Sequence, residues 1–302
     1  MSISSITSLK LNRRLLITSG LLATPLLAPI RGGVAAQDES PSLEILSPAS
    51  GDVITTDMID VQVKINNFVV DCTQSGRPDE DGVGHIHVMV DGMTMANLTN
   101  FYCGDTFSVP GAGLAAGTHT LIVDLASNTH MDMADTAQQV EFDYQPANPI
   151  PLPEAEDLGE PGVTLVSPTD GADVTSVVSI EVDPVNFNPS EELEGKQNVP
   201  GYGHYHVFVD TPMGMMDSMD AMASPEVKMS GTPAEGHTDD MGGEMAMMSM
   251  AGMVLMPGAN TFDLDLSAWG PGLHTIWIEP VQNDHTMFES FGHVEFTVVV
   301  GE

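Results

Sequence analysis

Apolar and polar residues alternate in short runs along most of this chain. Val61, Val63 and Ile65 fall in one phase, with Gln62 and Lys64 in the other, which is the two-residue period of a half-buried β-strand. Runs of this kind recur at intervals of about 10–20 residues, bounded by Gly, Pro, Asn and Asp, as the strands of a sandwich or barrel do. Beyond residue 36, no sustained 3.6-residue apolar period appears outside a Met-rich stretch, so helices are not expected.

The order of the runs repeats. Ser47-Pro48, Gly51, Val53 and the run Val61 to Phe68 are matched by Ser167-Pro168, Gly171, Val174 and the run Ile180 to Phe187. Gly84-His85-Ile86-His87-Val88-Met89-Val90-Asp91 is matched by Gly203-His204-Tyr205-His206-Val207-Phe208-Val209-Asp210. Further on, Gly117-Thr118-His119-Thr120 pairs with Gly272-Leu273-His274-Thr275, and Asn128-Thr129-His130 with Asn283-Asp284-His285. An internal repeat of this length predicts two copies of one supersecondary unit. The expected fold is all-β: two tandem immunoglobulin-like antiparallel β-sandwiches of about seven strands each. They would span residues 41–145 and 162–302, joined by a Pro-rich linker at 146–161.

One insertion, at about 211–257, separates the copies in length. It carries 13 of the chain's 21 methionines, among Gly, Ser, Ala, Asp, Glu and Pro. That mixture predicts a mobile loop on the rim of the second sandwich.

Residues 1–36 read as a signal peptide. Lys10, Arg13 and Arg14 precede an apolar run from Leu15 to Ile30, and Val34-Ala35-Ala36 offers a cleavage site. Arg13-Arg14 within Asn12 to Ile17 gives it a twin-arginine character. The run holds Pro25 and Pro29 and falls short of the roughly 20 residues of a membrane span. The expectation is export to a periplasmic, extracellular or cell-surface setting, with no stable span.

Setting the signal aside sharpens the charge. The whole chain has a formal net charge of −35; beyond residue 36, four basic residues face 43 acidic ones, a net of −39. Such a field repels nucleic acid and anionic lipid and attracts cations. A solvated surface suited to high salt is the plainer explanation of the same acidity. In an oxidising compartment Cys72 and Cys103 are expected to form a disulfide contributing roughly 3–4 kcal/mol, with a pair of thiolate ligands as the alternative.

Eight of the ten histidines occupy repeated positions: His85, His87, His119 and His130, and His204, His206, His274 and His285. His-x-His on a strand sets both rings on one face about 6.5–7 Å apart at the backbone, a spacing that suits two ligands of one ion. Imidazole accepts copper, zinc, iron or nickel. The apolar Ile86, Val88 and Val90 predict that His85 and His87 lie on the opposite sheet face or at its end. His119 runs in phase with Leu121 and Val123, which argues that it diverges from the pair. The competing reading is structural, each imidazole bonding a nearby carbonyl.

The insert offers thioethers, soft ligands that select Cu(I). Met213, Met215, Met216, Met219, Met222, Met245, Met247, Met248 and Met250, with His237 in their midst, are the candidates. An adaptable apolar surface for a partner protein and an oxidant sink are the alternatives. No nucleophile elbow, phosphate loop or dinucleotide fingerprint is present, so no enzyme is expected.

The Gly-His-x-His-apolar-Asp motif, followed by Gly272, His274-Thr275 and His285, resembles an exported bacterial domain of unknown function with a Gly-His-His-His hallmark. Both repeats are similar to it over most of their length. Ile86 and Tyr205 stand where that domain has its middle histidine, and the Met-rich insert lies outside its pattern. The resemblance implies a small exported β-sandwich and no particular activity. A looser likeness is to copper-zinc superoxide dismutase, but the further zinc-loop histidines and the copper-side arginine are not found. The reading that follows is an exported copper-binding or copper-handling protein, with zinc possible as the ion. An adhesive or structural immunoglobulin-like module without metal is the alternative, and a dismutase-like redox enzyme comes third.

Overall fold

Strand β3 (Met58–Asn66) buries Ile59, Val61 and Val63 and turns the residues between them outward. Strand β12 (Val177–Val185) does the same with Val178, Ile180 and Val182. Branched side chains at alternate positions fit a pleated surface with one wet face. Each of these strands is the centre of a three-stranded antiparallel sheet. The first is β1 (Ser42–Ser47), β3 and β7 (Thr106–Pro110); the second is β10 (Gly162–Ser167), β12 and β16 (Thr261–Asp265).

The structure is a computed structural model that describes residues 40–211 and 250–301. The expected signal segment 1–36, and the insert from Met213 to Met248 with His237, lie outside the described residues. Glu39–Glu302 form one compact unit. Among the described residues, no helix is long and apolar enough to cross a membrane.

Opposite each three-stranded sheet lies one of six strands. The first follows the order β2 (Val53–Ile54), β9 (Gln138–Tyr144), β8 (Gly117–Ser127), β5 (Val83–Val90) and β4 (Val69–Val70), with β6 (Leu98–Tyr102) also on β5. The second repeats that order: β11 (Ala172–Val174), β18 (Val294–Val300), β17 (Gly272–Val281), β14 (Tyr202–Val209) and β13 (Asn188–Pro189), with β15 (Met253–Leu255) on β14. The count exceeds the expected seven because short edge segments β2, β4, β11 and β13 pair with the ends of longer strands. They do so in parallel, a departure from a purely antiparallel sandwich. Each pair of sheets encloses its own core. One is built on Ile59, Val61, Ile86, Val88, Leu121 and Phe142, the other on Ile180, Val182, Tyr205, Val207, Ile276 and Phe296.

Strands β5 and β14 are buried on both faces. Ile86, Val88 and Val90 enter one core, while Met89 enters a third apolar cluster, a seam between the two sandwiches. Met89, Met95, Leu98, Phe101 and Ile122 meet Phe208, Met250, Met253 and Met256 there. Unbranched thioether side chains fill an irregular gap of this kind well. Two expectations are corrected here. The insert was read as running to about 257, but Met253–Leu255 form β15, the counterpart of β6, so it ends earlier. Met250, expected as a loop ligand, is fully buried in the seam.

Cys72 and Cys103 form the disulfide, joining a 3-10 turn at Cys72–Gln74 to the end of β6. The stretch 146–161 carries no strand. It is tied down where Ile150 O accepts from Gly113 N and where Glu156 N donates to Pro200 O.

Two complete cores joined by one seam predict separable unfolding. Met89→Asp combined with Met253→Asp places two unpaired carboxylates in the seam, each costing several kcal/mol, about 3–5. Calorimetry is expected to resolve two transitions in the double variant against one in the parent. A single lowered transition would mean that the sandwiches do not stand alone.

Candidate metal centres

The glycine of each Gly-His-x-His motif is a steric requirement. A Cβ on Gly84 would run into the Ala126 carbonyl, and one on Gly203 into that of Val281, because β5 and β14 pass close to β8 and β17 there. The alternation that sends Ile86 and Tyr205 into the cores sends His85, His87, His204 and His206 toward the seam, all at most 2% exposed. The third ring comes from a four-residue turn at the end of β8 or β17. His130 N bonds Ser127 O, and His285 N bonds Gln282 O. Both turn residues take the left-handed conformation, at φ 61° and 65°, a conformation His tolerates better than most residues.

Three imidazoles therefore converge in each repeat. His85 Nε2 lies 3.1 Å from His87 Nε2, which lies 3.4 Å from His130 Nδ1. In the second triad His285 Nδ1 lies 3.0 Å from His204 Nε2 and 3.4 Å from His206 Nε2. Nitrogens bound to one ion at about 2.0–2.1 Å stand roughly 3.3–3.5 Å from one another; one separation in each triad, 3.4 Å, falls in that range and the other, 3.1 or 3.0 Å, lies just inside it.

The far side of several rings is held. His87 Nδ1 donates to Asp132 Oδ1 at 2.7 Å, and His85 Nδ1 faces Ser75 Oγ at 3.3 Å. His130 Nε2 donates to Met253 O at 2.8 Å, and His285 Nε2 to Leu98 O at 2.7 Å. Those last two bonds cross the seam, so each sandwich orients a ring of the other. Partners of this kind fix the tautomer and leave the inner nitrogens as lone pairs, as around a bound metal. In the metal-free protein His85 can donate Nε2–H to His87, but His130 Nδ1 then has no donor.

Burial, followed by the neighbouring rings, pushes His85, His204 and His206 well below the usual imidazole range. Burial likewise takes His130 to about 3 and His285 to about 4. These rings are neutral at pH 7 and able to act as ligands. Rings of one triad also depress those of the other, His285 acting on His130 and His87 on His285.

His119 and His274 do not join the triads, which corrects their assignment as ligands. His119 Nδ1 bonds Asp91 Oδ2 at 2.6 Å and its Nε2 bonds Ala115 O at 2.7 Å. His274 does the same with Asp210 Oδ2 and Gly270 O, at 2.7 and 2.9 Å. In each ring both nitrogens are engaged by oxygen atoms at hydrogen-bond distance, away from the triads. These rings pin the turn after β5 or β14 to the start of β8 or β17, the role that the structural reading described.

Sequence reasoning passed over the supporting residues Ser75, Asp124, Asp132 and Glu279. Asp124 and Glu279 face His87 and His206 in register across the neighbouring strand. Burial raises Asp124 to about 8, with help from Asp132, and raises Glu279 to about 7. Glu194, in the seam, is raised well above the usual carboxyl range by burial and then by Glu191. Asp132 follows His130 by two residues, a His-x-Asp spacing that could have been noticed.

No family model matches the chain, and no curated protein matches it. Among solved structures it is similar to the fibronectin(III)-like modules of Clostridium thermocellum CbhA, at 10% identity over 85% of this chain and 93% of that one, with a TM-score of 0.24. It is also similar to Dpr2 Ig1-Ig2 in complex with DIP-Theta Ig1-Ig3, at 11% identity over 86% and 99%, TM-score 0.19. A third likeness is to Parabacteroides merdae β-glucuronidase, at 8% identity over 86% of this chain and 24% of that one, TM-score 0.23. At these scores the likenesses bear on neither the site nor its chemistry.

The opposed titrations predict an optimum of stability. Five triad rings are neutral when folded and gain a proton near 6.5 when unfolded, so stability falls as pH drops below about 6.5. Asp124, Glu279 and Glu194 are protonated when folded and ionise near 4 when unfolded, so their contribution is lost as pH rises from about 4 to 8. Five groups outweigh three below about 6.5, and only the acids act above it. Denaturation of the metal-free protein across pH 4–8 is expected to show a maximum near 6.5, with a shallower alkaline decline in Asp124→Asn. A steady rise through pH 8 would contradict this assignment.

Proposed function

We propose that the protein is an exported metal-binding protein that holds one ion, most suitably Cu(I), in each of the two buried histidine triads. One observation carries the reading: in each triad three buried imidazole nitrogens converge near one point, with outer nitrogens of His85, His87, His130 and His285 tied to neighbouring groups. The donor set argues for the ion. Neutral imidazoles leave the metal's charge uncompensated in a buried site, and the cost of burying charge grows steeply with its size. A monovalent soft ion suits such a pocket better than a divalent one, while Zn²⁺ is the alternative that a three-histidine site also accepts.

The Met-rich insert fits the same reading. Its thioethers, soft ligands, would add further Cu(I) capacity to that of the triads. The strongly acidic surface would raise the local cation concentration. Export rests on the residue 1–36 pattern.

The second reading is an immunoglobulin-like structural module without metal. It is favoured by the bonds His130 to Met253 and His285 to Leu98, which join the two sandwiches without an ion. A catalytic role has no comparable support.

Anaerobic Cu(I) titration against a chromogenic competitor separates the two readings. Two tight equivalents are expected in a variant whose methionines from Met213 to Met248 are all leucine, and further weaker equivalents in the parent. His85→Ala and His204→Ala are each expected to remove one tight equivalent, while His119→Ala removes none and lowers stability with or without metal. A parent protein with no saturable copper, and His85→Ala stability unchanged by added metal, would leave the structural module.

A further inference from the structure

Beside the first triad lies a group that the proposed function does not use. Asp124 is fully buried, and neither of its carboxyl oxygens has a hydrogen-bond partner among the described residues. An oxygen of Asp124, an oxygen of Asp132 and a ring nitrogen of His87 lie within 4.8 Å of one another. Strand register holds Asp124 opposite His87, and a bridge between Ala126 and Asp132 brings the second carboxylate back over the end of β8. A carboxyl group left unsatisfied in a packed seam is costly, and the first repeat accepts that cost next to a second acid.

We propose that Asp124, Asp132 and the Nδ1 of His87 form a separate binding position for a borderline divalent cation of the Zn²⁺ class. Two carboxylates and one imidazole are an oxygen-rich, charge-compensating set, unlike the neutral triad, and they suit a small ion of four-coordinate habit. The octahedral, water-retaining shell of Mg²⁺ has no room at a fully buried carboxyl. On binding, the cation displaces the carboxyl proton of Asp124, which leaves to solvent, and takes the place of the His87 Nδ1 proton that Asp132 now accepts, which moves to Nε2. When this position alone is filled, the ring keeps one proton, on Nε2. When the triad is filled too, that proton leaves to solvent and His87 holds an ion on each nitrogen. Among the described residues, the position belongs to the first repeat alone. In the second, Glu279 stands opposite His206, with Oε2 unpartnered, but the bridge from Val281 returns Met287 where the first repeat has Asp132.

The test is zinc content of the untagged protein after gel filtration in high salt, which screens the acidic surface. Whatever the triads take, the parent is expected to retain one equivalent of Zn²⁺ more than Asp124→Asn. The same difference is expected in a background carrying His130→Ala and His285→Ala, which breaks both triads. Met287→Asp is expected to add one equivalent, a gain that misfolding cannot produce. Equal zinc in the parent and Asp124→Asn overturns the proposal and leaves the triads to stand or fall on Cu(I) binding. Loss of Cu(I) binding with the zinc difference kept would remove the triad reading alone.

Discussion

Strands β5 and β14 are covered on both faces, and this double burial governs the rest of the structure. A strand with one wet face can carry histidines at no cost, since water satisfies them. Here the face opposite each core is sealed by the other sandwich, so every ring on it must find its partners in protein. The chain answers with rings bonded outward to Asp132, Ser75 and two backbone carbonyls, and inward to one another. Dehydration then favours the neutral form of His85, His130, His204, His206 and His285, and a neutral ring keeps the lone pair that makes it a ligand. Burial, neutrality and ligand competence are thus one physical fact.

The same seal makes the two repeats interdependent. Met253 belongs to the edge strand of the second repeat and orients His130 of the first; Leu98 belongs to the edge strand of the first and orients His285 of the second. The arrangement is reciprocal, as in an interface between two like surfaces. A covalent tandem fixes this pairing and lets the two surfaces diverge. They have diverged in their surroundings: Ser75 faces His85, whereas His204 Nδ1 has no partner among the described residues. Asp132 in the first repeat is likewise replaced by Met287 in the second.

Much of the fold was legible because it depends on local period and on repetition. Alternation in Val61 to Ile65 set the inner face of β3, and the apolar residues between the histidines set their direction. The phase of His119 with Leu121 already argued that it would part from the pair, and its bonds to Asp91 and Ala115 show where it goes. The seam was not legible. No period distinguishes a face buried by a sister domain from one buried by its own core, so Met250, Met253 and Met256 read as part of a loop rather than as packing. Asp124 was hidden for the same reason: an acid in an alternating strand reads as solvent-facing until a second surface is known to cover it.

The segment that follows the insert is tied to the first triad through its backbone. That segment passes through Met250 and then Met253, which opens the pairing of β15 with β14; both side chains are fully buried. The Met253 carbonyl on that segment is the acceptor that holds His130. Displacing the returning segment therefore breaks the seam packing and frees a ring of the opposite repeat in one movement. Conversely, an ion that locks His130 in place favours the returning segment where it lies.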